Sequence, residues 1–346
     1  MNPEVSNTTA RAASLVVLGL ALLGARPVTA AQYQDGYDDN AARALANQYS
    51  NSILHVSFTY QSNIYFGSGV RLNENFGIIA AHAVTDGIHV ATVNGVIRGT
   101  SSNGILTEVS TAWVYPGFDG SMNGPDIAII RFAQPVPGPT MAIAPAGANE
   151  VVNHFGFGNF GSPAIGMQGN DGNARAWEGR VSGSPPSLGS STYYQATTYG
   201  YDNLGLSLNG RGANGDSGGG VFNLSGQLVG INIAQFGPTG NQFGETTFLS
   251  LSQPAVLSWI QSIITPVEPV ILSLTREGAD VRLVWQGKGG SNYLVQAASA
   301  LGGTNTFTDL AAPLTLPGSG PVTTNYLDAG GTHTNVLTRF YRIRLN

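Results

Sequence analysis

The sequence predicts an all-β protein whose short antiparallel strands close into barrels or sandwiches, and three observations lead there. Charged residues make up only 10% of the 346 residues, against about 25% in an average soluble domain. Glycine is abundant at 47 residues, which suits a turn-rich chain better than a helical one. Short apolar runs recur between Gly, Asn, Pro and Asp. They do not alternate with helices of the length that builds a parallel α/β sheet.

Along the chain, the first 30 residues predict an export signal. Ala12 to Ala25 is an uncharged apolar stretch of 14 residues after Arg11, followed by Pro27-Val28-Thr29-Ala30. That length suits a signal core, whereas a membrane span needs about 20 apolar residues. Cleavage after Ala30 would release a secreted, periplasmic or cell-surface protein of bacterial type with no lasting membrane insertion. Residues 31–49 read as a polar N-terminal segment and candidate propeptide, carrying Asp35, Asp38 and Asp39. The runs Ile53–Tyr60, Ile64–Leu72, Gly77–Ala81, Val90–Ile97, Ile127–Phe132 and Val151–Phe157 are the expected strands of a domain spanning 50–265.

One helix is expected late, where Val256, Trp259, Ile260 and Ile263 recur at helical spacing after Gln253-Pro254. Residues 266–269 then read as a Pro-containing stiff linker. From Val270 to Asn346 the pattern becomes open alternation (Val281, Leu283, Trp285; Tyr293, Val295, Ala297; Tyr341, Ile343, Leu345), as in a small half-buried antiparallel β-sandwich.

Composition also excludes some chemistry. There is no cysteine, so disulfides, thiolate metal sites and cysteine nucleophiles are ruled out. A net charge of −5 offers no basic field for nucleic acid. The acidic positions Asp35–Asp39 and Asn170–Asn173 match no ordered calcium loop and read as solvated turns. No metal or cofactor is expected, and the chain is expected to act as a monomer on a protein or peptide.

The chemistry-bearing residues are His82 (Ala80-Ala81-His82), Asp126 (Asp126-Ile127-Ala128-Ile129-Ile130) and Ser217 (Gly215-Asp216-Ser217-Gly218-Gly219). A serine hydroxyl attacks a carbonyl only when a base takes its proton, and the base needs a carboxylate to fix its tautomer. The glycines around Ser217 allow backbone N–H groups to face a developing oxyanion. Two other motif matches fail on context. Gly-x-Ser-x-Gly as an α/β-hydrolase elbow needs the His last, and only His333 follows Ser217. Gly156 to Gly161 fits Gly-x-Gly-x-x-Gly, but no helix follows to receive a dinucleotide. His55, His89, His154 and His333 lack catalytic context and read as structural or exposed.

The three motifs, in this order, resemble the trypsin/chymotrypsin-like serine peptidases. His82 and Asp126 are 44 residues apart, and Asp126 and Ser217 are 91 apart, in keeping with that family. Phe66-Gly67-Ser68-Gly69-Val70 resembles the strand before the histidine. Phe155-Gly156-Phe157-Gly158-Asn159 is similar to the turn opening the second barrel, and Leu257-Ser258-Trp259-Ile260 to the closing helix. The resemblance implies two six-stranded antiparallel β-barrels with a C-terminal helix. It implies Ser217 as nucleophile, His82 as general base and acid, Asp126 as orienting carboxylate, and the N–H groups of Gly215 and Ser217 as the oxyanion hole. The reaction would be peptide-bond hydrolysis. A catalytically silent binding or adhesion module and a secreted serine esterase are the competing readings. Residues 270–346 are similar to the small fibronectin type III-like domains appended to secreted bacterial hydrolases, with Trp285, Tyr293 and Tyr341 as core aromatics.

The chain departs from the family in three places. Ala83 stands where many animal members carry a disulfide cysteine. No Ile-Val-Gly-Gly start supplies the freed amine that in zymogen members pairs with the residue here numbered Asp216. Cleavage after Arg43, freeing Ala44-Leu45, is one expectation for that amine; a pre-formed site with Asp216 satisfied by side chains or backbone is the other. Last, the substrate pocket implied by the resemblance has Arg211 at its base and Asn232, Ile233, Ala234 and Gln235 along its far wall. Arg211 in a Gly-rich loop is expected to point to solvent; turned inward, it would favour an acidic side chain. Ile233 stands where the family often has a serine that supports the triad Asp.

Overall fold

Ile53–Tyr60 forms the strand its alternation predicts, and in the computed structural model it opens a closed barrel. The structure describes residues 31–187, 192–200, 205–237, 243–265, 268–300, 307–318, 320–330 and 339–345. The expected signal segment and His333 lie outside them. Among the described residues no helix is long and apolar enough to cross a membrane.

The chain divides into two compact units, Met1–Leu257 and Ser258–Asn346. The first begins with strand β1 (Gln32–Tyr33) and helix α1 (Asp39–Asn47). The polar reading of residues 31–49 is corrected here. Asp38 caps the helix, accepting from the Asn40 and Ala41 N–H groups. Ala31, Tyr33, Ala42, Trp177 and Leu208 share one buried cluster, against which Leu45 packs. Enough of the segment's side chains are apolar to make it part of the domain.

The first barrel uses β2 (Ile53–Tyr60), β3 (Asn63–Arg71), β4 (Phe76–Ile79), β5 (Thr92–Arg98), β6 (Leu106–Val114) and β7 (Ala128–Phe132), closed in the order β2-β3-β4-β7-β6-β5. Leu54, Val56 and Phe58 alternate inward from β2, and Ala128, Ile130 and Phe132 from β7. Each large apolar side chain so buried contributes about 1.5–3 kcal/mol. A short 3₁₀ turn, Ala81–Ala83, leaves β4 at the rim.

The second barrel uses β8 (Val151–Gly156), β11 (Arg175–Val181), β12 (Tyr194–Tyr199), β14 (Gly220–Asn223), β15 (Leu228–Phe236) and β16 (Gly244–Ser250), closed in the order β11-β12-β16-β15-β14-β8. Val152, Val181, Val221, Val229 and Phe248 fill it. Outside it, β9 (Phe160–Ser162), β10 (Gly166–Gln168) and β13 (Gly210–Arg211) make a small sheet with β1. In that sheet Gln32 pairs with Arg211 on one side and Gly161 on the other. Two closed six-stranded barrels, all β apart from two helices among the described residues, agree with the expected fold class.

Helix α2 (Pro254–Ile264) follows, with Val256, Ile260 and Ile263 buried as their spacing predicts and Trp259 half-buried. The division between the units falls inside it, ahead of the expected linker, of which 266 and 267 are not among the described residues. The second unit has two sheets. One is β17 (Val270–Glu277), β18 (Asp280–Lys288) and β22 (Pro321–Asp328); the other sets β20 (Thr308–Asp309), β21 (Leu314–Thr315) and β23 (Phe340–Leu345) against β19 (Asn292–Ala298). Trp285 of the first sheet and Tyr293 of the second share one core cluster. Tyr341 is not in that cluster; it is half-buried, and its hydroxyl donates to Asp328 Oδ2 at 2.8 Å. β19 does not alternate, because Leu294, Gln296 and Ala298 are buried too. Arg342 bonds Gln296 and lies over the Phe307 ring, covering that face.

Candidate active site

His82 sits in the 3₁₀ turn after β4, and its orientation is fixed twice by one carboxylate. Its backbone N–H donates to Asp126 Oδ1 at 2.9 Å, and its Nδ1 meets Asp126 Oδ2 at 2.6 Å. The Asp126 side chain is 1% exposed and that of His82 16%. A carboxylate at Nδ1 holds the proton there and leaves Nε2 as the acceptor, the tautomer a general base needs. Burial alone would pull the His82 pKa down. The Asp126 charge and hydrogen bond outweigh it, and the net shift is upward.

Asp126 has its own support from the second barrel. The Asp126 N–H donates to Tyr194 Oη at 3.0 Å, and the Tyr194 hydroxyl donates to Gly124 O at 2.6 Å. Tyr194 has no local sequence signature, because its contact joins residues 68 apart.

Ser217 lies in the loop between β13 and β14. Its hydroxyl is 3.5 Å from Ile233 O, and among the described residues it makes no hydrogen bond with His82. The loop backbone is locked against both barrels. The Ser68 N–H donates to Ser217 O at 3.3 Å, and the Gly218 N–H to Asn232 O at 2.7 Å. Gly218 has φ +83°, and a Cβ there would lie 2.8 Å from the Ala80 nitrogen, two residues before His82. Only glycine lets the Ser217 loop approach the histidine turn this closely. Ser68 adds a two-way clasp, its hydroxyl donating to Gly215 O and accepting from the Phe157 N–H.

The loop amides alternate in use. Asp216, Gly218 and Gly219 donate their N–H groups to Ala213 O, Asn232 O and Asp216 O. Those of Gly215 and Ser217 have no acceptor among the described residues. Gly215 has φ +96°, the left-handed conformation that glycine adopts without strain. Two unengaged backbone donors flanking the engaged Asp216 N–H, one of them the serine's own, are the kind of groups an oxyanion hole is built from.

Asp216 is buried and turned away from the hydroxyl. It accepts from the Gly158 N–H at 2.9 Å and the Ala213 N–H at 3.0 Å, with the Ala31 backbone N–H as a further donor. Burial pushes its pKa up to about 7 in spite of these donors. Arg43 is not near it. Arg43 lies within α1, bonded to Asp39 at 2.8 Å and Asp171 at 2.7 Å, and Ala44 is an exposed residue of the same helix. In the uncleaved chain the backbone beside Asp216 is that of Ala31, and Ala44-Leu45 lies within α1.

The pocket residues also need revision. Arg211 is 1% exposed, not turned to solvent. Its Nε and Nη2 donate to Gln32 Oε1 at 3.2 and 2.6 Å, and its Nη1 to Phe236 O at 2.9 Å. Asn232 does not face a pocket; its amide bonds His154 Nδ1 and Phe155 O. Ile233 is buried, while Ala234 and Gln235 are half-buried on β15. Of the other histidines, His154 and His55 are buried and pulled down to about 4 by burial, His154 bonding Thr197 and His55 stacking on Phe66. His89 is exposed and pairs with Asp86. The acidic N-terminal positions are occupied by protein partners: Asp35 takes the Ala164 N–H, and Asp39 with Asp171 grips Arg175.

No curated protein matches the chain by sequence. Among solved structures the chain is similar to an inactivated protease paralogue of the scabies mite, at 19% identity and a TM-score of 0.46, covering 62% of this chain and 95% of that one. It is similar to neuropsin, a serine protease expressed in the limbic system of mouse brain, at 15% identity, 0.47, 62% and 95%. HL collagenase gives 15% identity, 0.48, 66% and 96%. The trypsin family model matches residues 46–260, a span that holds both barrels, the His82–Asp126 pair and the Ser217 loop. The chain belongs to the trypsin family.

Proposed function

We propose that the protein is a secreted serine endopeptidase that hydrolyses peptide bonds through an acyl-enzyme. The observation that carries this reading is the His82–Asp126 pair, with both carboxylate oxygens engaged, beside a serine loop whose Gly215 and Ser217 N–H groups have no protein acceptor among the described residues. For attack, the Ser217 hydroxyl leaves Ile233 O and turns to His82 Nε2. Its oxygen bonds to the substrate carbonyl carbon while its proton passes to Nε2. The carbonyl oxygen becomes an oxyanion held by the two N–H groups. Collapse breaks the C–N bond, and His82 returns the proton to the leaving amine. Water then repeats the sequence on the ester, with His82 again taking and returning the proton.

Export would follow from the apolar segment Ala12 to Ala25 and cleavage after Ala30. The new α-ammonium would then sit on Ala31, whose nitrogen already faces Asp216. The C-terminal sandwich, read from its alternation as fibronectin type III-like, would serve anchoring, substrate docking or spacing. The test is hydrolysis of peptide amide and ester substrates by the secreted chain. A pre-steady-state burst followed by amide turnover supports the endopeptidase. Ester turnover alone would favour the esterase, and no turnover of either would favour the silent binding module.

A further inference from the structure

Three polar side chains interrupt the apolar lining of the second barrel. His154 of β8, Thr197 of β12 and Asn232 of β15 are all buried. Their cross-strand partners Val221, Val181 and Phe248 belong to the barrel core, and residues directly opposite share a face. Burying polar groups there is costly unless each is bonded, and aliphatic side chains would fill the space without that cost.

The bonds among the three have one direction. Phe155 O only accepts, so the Asn232 atom 3.0 Å from it is the Nδ2 donor, and Oδ1 faces His154 Nδ1 at 2.7 Å. That oxygen needs a donor, so the imidazole proton is on Nδ1, and Nε2 accepts from the Thr197 hydroxyl at 2.9 Å. The His154 ring stacks on Trp177 at 5.1 Å, which sets its plane. Burial pulls His154 down to about 4, so it is neutral wherever His82 works as a base. A fully bonded set of this kind specifies one arrangement of the strands that carry it.

Asn232 passes that arrangement to the Ser217 loop. Its N–H donates to Gly219 O at 2.8 Å, and its carbonyl accepts from the Gly218 N–H at 2.7 Å. A Cβ on Gly219 would collide with Phe155 O, the same carbonyl that takes the Asn232 amide. The register of β15 shifts just after Asn232, and the extra residue is Ile233, whose carbonyl lies 3.5 Å from Ser217 Oγ. One residue thus grips both glycines after the serine and starts the bulge that aims a carbonyl at its hydroxyl.

We propose that His154 is a positioning residue: through Asn232 it fixes the Ser217 loop, and with it the aim of the serine hydroxyl and of the Gly215 and Ser217 N–H groups. It touches no reacting atom. The catalytic consequence rests on the peptidase reading of Ser217; the fixing of the loop does not.

The test uses His154→Leu, which fills the site without a donor, and His154→Asn, whose amide nitrogen stands where Nδ1 stood and still donates to Asn232. Hydrogen exchange of the peptide holding Gly218 is followed by mass spectrometry, beside kcat, KM and the rate of fluorophosphonate labelling of Ser217. In folded His154→Leu the loop should exchange about tenfold faster, the order of one lost hydrogen bond, with β2 of the first barrel unchanged. Labelling and kcat should fall about tenfold to a hundredfold with KM little altered. His154→Asn should restore most of each. Thr197→Val, which removes only the donor at Nε2, should give a smaller change of the same kind and serves where His154→Leu does not fold. Faster exchange spread over both barrels overturns the proposal, as does a His154→Asn protein no better than His154→Leu. Unchanged labelling in folded His154→Leu and Thr197→Val proteins also overturns it. A wild type that takes no label while loop exchange responds as expected upholds the positioning by His154 and rejects the peptidase reading alone.

Discussion

Tyr194 of the second barrel clasps Asp126 of the first, accepting its backbone N–H at 3.0 Å while donating to Gly124 O at 2.6 Å. The residue that orients His82 is thus held by the opposite barrel, and the placement of the imidazole depends on how the two barrels meet. Burial pushes the Tyr194 phenol well above its ordinary range, so it stays protonated and able to donate throughout the working pH range.

Tyr194→Phe should therefore act as a positioning defect. It leaves the Asp126 N–H and Gly124 O without this partner, a loss of about 1–3 kcal/mol for buried groups. We expect kcat to fall about tenfold with KM little changed, and the pH midpoint of kcat/KM to move. A merely structural role would lower the melting temperature and leave the pH profile of the folded fraction unaltered.

Asp126→Asn removes the charge that raises His82. His82 acts as base only when neutral, so the rate should rise with pH through a midpoint above the ordinary histidine value in the wild type. In the Asn variant burial is left to pull His82 down, and the midpoint should drop. Activity should fall by about ten-thousandfold, as expected when the tautomer is lost. Rate–pH profiles of both proteins check the direction.

Asp216 predicts a stability difference between the chain before and after cleavage at Ala30. Its folded pKa of about 7 lies above the ordinary 3.8, so its contribution is full below pH 3.8 and is lost as pH rises through 7. The uncleaved chain should lose melting temperature over that window. A chain beginning at Ala31 brings an α-ammonium beside the carboxylate, holds it ionised, and should not show the loss. Identical slopes in the two chains would refute the pairing.

Arg43→Gln should change little. Its ion pairs with Asp39 and Asp171 are about one-third exposed, and such pairs contribute about 0–1 kcal/mol. Activity should match the wild type if the Ala31 nitrogen, which faces Asp216 in the intact chain, is the one that serves it. Loss of activity rescued by proteolysis elsewhere in α1 would restore the Arg43 cleavage expectation.

What was legible in the chain follows from the range of each contact. Val56 and Phe58 alternate within one strand, so β2 was readable to its ends. His82, Asp126 and Ser217 were readable because each carries a local motif. The Asp38 cap and the spacing of Ala42, Leu45 and Ala46 also marked α1, but the acidic residues around them gave the segment a polar look. Arg211 was misjudged because its burial depends on Gln32, 179 residues earlier, through a two-residue strand pairing that leaves no periodic trace. Ser68 stood inside a recognised motif, yet its bonds to Gly215 and Phe157 cross between barrels and have no sequence signature.

The most direct measurement is covalent labelling of the secreted protein with a fluorophosphonate, followed by mass-spectrometric location of the adduct. One adduct is expected, on Ser217, formed faster as pH rises through the His82 midpoint, greatly slowed in His82→Ala and absent in Ser217→Ala. A folded wild-type protein that takes no label at Ser217 across that pH range would contradict it.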